Sequence, residues 1–191
     1  NDAGLLIAVT NRHGELEPPE PRSRGLLCRE LLSLANAPRA ADRATAELRT
    51  GSYAGANFVC LDRSSGFIIQ GGSEIHRKEL SAGLHLITNH DLNDANDDRQ
   101  QYFRGLYEES EVRTVADFVA TTAAICGQGP DEENRRTIIV RIEDRGTVSS
   151  SLIAVPRDPR EAIYRYAAGA PDRTPYEDYS PLLQAVLSRD P

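Results

Sequence analysis

The chain has 191 residues, 39% of them hydrophobic and 27% charged, with a formal net charge of -7 and a pI of about 5.2. That size and apolar share suit one domain with a buried core and exclude a disordered chain. The acidic balance argues against a nonspecific grip on nucleic acid or anionic lipid, and no apolar run approaches the ~20 residues of a membrane span.

Taken in chain order, residues 5–9 form a short apolar run that suits a buried strand. Residues 12–24 hold Pro18, Pro19 and Pro21 among charged side chains and read as a loop. The leucines of 25–35 predict an amphipathic helix that Pro38 ends, and 40–48 predicts a second, alanine-rich helix. Ala56–Leu61 and 66–70 flank the turn-forming stretch 62–65, which predicts an antiparallel hairpin. Residues 85–88 are another strand candidate, followed by an Asn- and Asp-rich loop over 89–98.

Helices are predicted next, over 99–108 and 115–125. The second opens with Thr114 and Asp117 at capping-box spacing and ends at Gly127 and Gly129-Pro130. Residues 137–142 and 148–155 predict a second hairpin around 144–146. In 162–167 the alternation of Tyr164 and Tyr166 leans to a strand, and Ser180–Leu187 predicts a docking helix started by Pro181. Hairpin-linked strands with helices in separate blocks indicate an α+β fold, met by two packed antiparallel sheets covered by helices. No internal repeat or linker interrupts the chain, so 1–191 is expected as one domain, with 156–191 a C-terminal extension packed on it.

Cys28, Cys60 and Cys126 are odd in number and widely spaced, without CxxC or a secreted disulfide pattern. Buried, reduced thiols in a cytoplasmic protein are the expectation, and no signal peptide is visible. The chain has no methionine, which leads to the expectation of a missing upstream segment. His13, His76, His85 and His90 lack zinc-site spacing. Asp94, Asn96 and Asp98 match the first ligand positions of a calcium loop, but Arg99 stands at the glycine turn and Gly105 at the terminal glutamate, so a solvated turn is the reading. Neither Gly71-Gly72 nor Gly127-Gln128-Gly129 fits a phosphate-cradling loop, and there is no GxSxG elbow.

Two strand ends are alike. Ile7-Ala8-Val9-Thr10-Asn11-Arg12 and His85-Leu86-Ile87-Thr88-Asn89-His90 each finish an apolar run with Thr-Asn and a basic or imidazole side chain. Two converging asparagine amides would supply N–H donors to an oxyanion or a substrate carbonyl. The alternative is that asparagine favours strand-exit turns for its own backbone bonding.

The same segments resemble the NRDE family (transport and Golgi organisation protein 2-like). The similarity lies in GLLIAVTNR at 4–12, PRSRGLLCREL at 21–31, YAGANFVCLD at 53–62, LHLITNHDLND at 84–94 and RRTIIV at 135–140, in the family's order and over most of 4–155. The resemblance implies an N-terminal-nucleophile-hydrolase-like fold, a four-layer αββα sandwich lacking its N-terminal part. The family's opening Met-Cys and its Asn-Arg-Asp-Glu signature do not occur here, so the candidate nucleophile would precede residue 1. Related cysteine amidases use two strand-end asparagines around the oxyanion, roles that would fall on Asn11 and Asn89. Arg12, His90, Asn57 and Arg135 are the implied substrate-binding candidates. Asn57 stands in Gly-Ala-Asn where the family has Gly-Phe-Asn, a position that also suits a structural role. Arg135 and Arg136 follow Asn134, which replaces the family's arginine.

The implied activity is hydrolysis of an amide C–N bond in a small molecule, with no cofactor or metal. The α-amine of the leading cysteine, titrating near ~8, would serve as its base. A different class is equally open to the fold: a haem or acyl-lipid binding and trafficking protein, as implied by eukaryotic relatives, with His85, His90 and Cys126 as candidate haem ligands. A third reading is a catalytically dead scaffold.

Overall fold

A computed structural model describes residues 1–14, 17–129, 138–143 and 145–188. The chain divides into two units, Asn1–Asp94 and Ala95–Arg189. Both mix helices with antiparallel sheet.

The first unit is built on a four-stranded antiparallel meander in the order β1-β2-β3-β4: Leu6–Asn11, Ala56–Leu61, Gly66–Gly71 and Ile75–Glu79. β2 and β3 form the expected hairpin. Asp62 builds its turn, its carboxylate accepting from the N–H groups of Ser64 and Ser65 at 2.8 Å each. It also accepts from Ala37 N–H at 2.7 Å, which ties the turn to a helix start. Burial works against the charged carboxylate. Hydrogen bonds from Ala37, Ser64 and Ser65 outweigh it and hold Asp62 down to about 2.

Two helices cover one face. α1 (Arg24–Leu31) is capped by Ser23, whose hydroxyl accepts from Leu26 N–H. α2 (Ala37–Leu48) is capped by Asn36 accepting from Arg39 N–H. Pro38 is therefore not only a stop for the preceding helix. It lies in the first turn of α2, where its missing N–H costs nothing, so α1 is shorter and α2 longer than the sequence predicts. Ala40, Ala41 and Ala44 are fully buried and let α2 lie close on Phe58, Cys60 and Ile69, with Leu27 and Leu31 of α1 in the same core.

β4 was not anticipated from the sequence. Its charged residues His76, Arg77, Lys78 and Glu79 are exposed on an edge strand, so no apolar alternation marks it. The expected strand at 85–88 is corrected: no ladder partner pairs with it among the described residues, and it runs as an extended segment anchored by side chains.

The second unit carries α3 (Asp98–Glu108), α4 (Val115–Cys126) and α5 (Ser180–Leu187), a two-residue ribbon of β5 (Arg141–Ile142) with β6 (Arg145–Gly146), and a three-stranded antiparallel sheet. That sheet runs β7-β8-β9: Ser150–Ala154, Ile163–Ala167 and Glu177–Asp178. The Thr114–Asp117 capping box forms at the start of α4 as predicted, and α4 packs against β7. Among the described residues the predicted partnership of 148–155 with 137–142 does not form; the turn there closes a short ribbon in which Thr147 N–H donates to Val140 O at 2.8 Å. β7 pairs with β8 instead, because the full Ser150↔Ala167 to Ala154↔Ile163 register places Leu152 and Ala167 on the buried side. Residues 137 and 144 of that predicted hairpin lie outside the described residues.

Candidate functional site

Strand register defines the site. Antiparallel pairing aligns Thr10 with Asn57, Asn57 with Gln70, and Gln70 with His76. Side chains alternate along a strand, so this polar row occupies the face opposite α1 and α2, whose side holds the neighbours Val9, Phe58 and Ile69.

The segment after Gly83 crosses that row. Thr10 Oγ1 donates to the carbonyl of Thr88 at 2.7 Å. Asn57, fully buried, donates through Nδ2 to His90 O at 2.9 Å and more weakly to Thr88 O at 3.3 Å. A buried amide facing backbone carbonyls satisfies groups that no ladder serves. His13 N–H donates to Asn89 O at 3.0 Å, and within the segment Asn93 N–H donates to Leu86 O at 2.9 Å. Asn93 Oδ1 in turn accepts from Leu86 N–H at 2.9 Å.

Charged and imidazole groups gather at the end of this crossing. Arg12 Nη2 lies 2.6 Å from Asp91 Oδ1, which also accepts from Gln70 Nε2 at 3.1 Å. Asn89 Nδ2 stands 3.0 Å from His13 Nε2, where the amide donates when that nitrogen is unprotonated. The rings of His13 and His90 meet edge-on with centroids 5.9 Å apart. The group thus offers a guanidinium, two imidazoles and an amide donor beside one carboxylate, a mix suited to a polar or anionic ligand.

Of the residues singled out in the sequence, Asn57 and His90 are joined directly, and Arg12 and Asn89 sit at the same crossing through Asp91 and His13. Asn57 fastens the segment and is closed off from solvent. Asn11 ends β1 opposite Ala56 and is exposed, one step out of phase with Thr10 and so on the helix side of the sheet. No hydrogen bond joins it to Asn89 among the described residues. Arg135 lies outside the described residues. His13, Gln70 and Asp91 were missed; only the register that puts Gln70 beside Asn57 could have signalled one of them.

The other candidates resolve locally. His85 Nε2 lies 2.8 Å from Ser81 O, and its Nδ1 lies 3.4 Å from Asn93 Nδ2. Asp97 in the acidic loop caps α3, accepting from Arg99 and Gln100 N–H. Burial pushes the Cys28 and Cys126 thiols up, and burial with the neighbouring Cys28 pushes Cys60 up to about 12. None of the three is poised as a thiolate. Among the described residues no cluster of three or more His, Cys, Asp or Glu could hold a metal, and no helix is long and apolar enough to cross a membrane.

Comparison with models of known protein families gives no match, and comparison with curated proteins gives none either.

Proposed function

We propose that the chain carries the substrate-holding part of an amide-bond hydrolase of the N-terminal-nucleophile type, as its resemblance to the NRDE family implies. The observation that carries the reading is the fastened crossing at the end of β1, which gathers Arg12, His13, Asn89 and His90 beside one another. Asn89 is the donor to a developing oxyanion, Arg12 and His90 hold polar groups of the substrate, and Asn57 positions the segment that bears Asn89. Asn11, on the other side of β1, has no part in this crossing.

In this reading the attacking group is the thiol of a leading cysteine served by its own α-amine, and the three internal thiols, pushed up by burial, have no such amine. The reading includes the four-layer αββα sandwich. Its support is a helix layer on one face of the β1–β4 meander and a second antiparallel sheet with α4 against β7.

The test takes the mature natural protein. Mass spectrometry should find cysteine at its N-terminus, and Asn89→Ala should lower kcat for amide hydrolysis by about 10²–10³ with folding intact. Unchanged turnover in Asn89→Ala contradicts the reading.

A further inference from the structure

The second unit presents a corner of three tyrosines that the proposed hydrolase does not use. β8 turns Tyr164 and Tyr166 to the face of its sheet opposite Leu152 and Ala167, and Tyr179 follows β9 on that same face. Their ring centroids form a triangle with sides of 5.8, 6.0 and 6.3 Å, and the rings are inclined to one another by 47°, 83° and 54°. Three rings at such angles make walls rather than a flat stack.

The corner is held by backbone. Tyr179 N–H donates to Tyr164 O at 2.8 Å, Tyr164 N–H donates to Ser180 Oγ at 3.1 Å, and Glu177 pairs with Tyr166 across the β8–β9 ladder. Glu177 is exposed and its carboxylate accepts from the Tyr179 hydroxyl at 3.1 Å, which puts a negative charge on the rim. The one cation on these strands, Arg165, lies on the other side of the sheet and is paired with Asp178 at 2.9 Å. No positive charge of β7, β8 or β9 therefore fills the corner. Tyr179 is 37% exposed and the neighbouring Ile153 39%, with Tyr164 and Tyr166 half-buried, so solvent meets the corner on its Tyr179 side.

We propose that Tyr164, Tyr166 and Tyr179, with Glu177 at the rim, form a receptor for a trimethylammonium cation of the size of choline. Ring faces carry negative potential, and a cation within ~6 Å of a ring centroid is attracted to it. With centroids this close, one ammonium above the triangle lies within that distance of all three centroids at once. Methyl groups suit apolar walls better than a hydrated primary ammonium does, and the Glu177 carboxylate adds attraction that an appended phosphate would oppose.

The test is an NMR titration of the full chain with choline, following the tyrosine ring resonances and the choline methyl protons. Saturable shifts in both are expected, with the methyl protons moving upfield under the rings. The uncharged carbon isostere of choline should bind about tenfold more weakly, because it keeps the shape and loses the charge. Phosphocholine should bind several-fold more weakly than choline. Tyr166→Leu should weaken choline about tenfold and Tyr166→Phe by less than about threefold. No saturable shift with choline, or equal affinity for choline and its isostere, overturns the proposal. Equal affinity for choline and phosphocholine overturns the part given to Glu177. The isostere comparison uses the unaltered chain, so it decides even where Tyr166→Leu fails to fold.

Discussion

The two faces of the β1–β4 meander are built from the same strands for different ends. On one, Phe58, Cys60 and Ile69 are sealed under the alanines of α2 and the leucines of α1 in an apolar core. On the other, Thr10, Asn57 and Gln70 hold a crossing segment through directional bonds to its carbonyls and to Asp91. Apolar burial is strong and nondirectional, whereas a hydrogen bond adds only about 1 kcal/mol net but fixes an atom's place. The first face supplies stability and the second supplies position. A chain can therefore lose precision at the crossing while the sheet survives.

The largest effect expected from breaking this contrast is on the helix side. Phe58→Ala empties a fully buried site and should lower unfolding free energy by about 3–5 kcal/mol in denaturant melts. On the opposite face, Asn57→Leu keeps the number of side-chain heavy atoms but takes the amide donor from His90 O, while Thr88 O keeps Thr10 Oγ1, and should cost about 1–3 kcal/mol. A loss equal to that of Phe58→Ala would erase the distinction between the faces.

Asp62, which ties the hairpin turn to α2, sharpens the comparison through pH. Its folded value of about 2 lies below its ordinary 3.8, so its stabilisation is fully present above 3.8 and fades as pH falls through about 2. Discounted for solvent screening, that is about 1–2 kcal/mol. Asp62→Asn should flatten the acid limb of a stability–pH curve by this amount. An unchanged limb would remove Asp62 from the account.

Local signals made much of this legible. Thr114 and Asp117 announced α4, Pro181 announced α5, and the 62–65 turn announced the β2–β3 hairpin, because each feature is completed by neighbours in sequence. Long-range choices were not. Nothing local tells 148–155 to pair with 163–167, and nothing in His76-Arg77-Lys78 marks an edge strand whose side chains are solvated. The apolar look of 85–88 suggests a strand, but the Thr88 carbonyl accepts from Thr10 and Asn57 and the Leu86 carbonyl from Asn93 N–H. The Thr-Asn strand ends did point to the crossing, although Thr10 rather than Asn11 makes the contact, since a one-residue step reverses the face. Tyr164 and Tyr166 revealed a strand by alternation, while the approach of Tyr179 depends on β9, which no pattern showed.

Amide hydrogen exchange on Asn57→Leu tests the division of labour most directly. The amides of His13 and Asn93, bonded to Asn89 O and Leu86 O, should exchange at least about tenfold faster than in the unaltered chain, while those of Phe58 and Ile69 keep their protection. Unchanged exchange at His13 and Asn93, or equal acceleration across both faces, would contradict it.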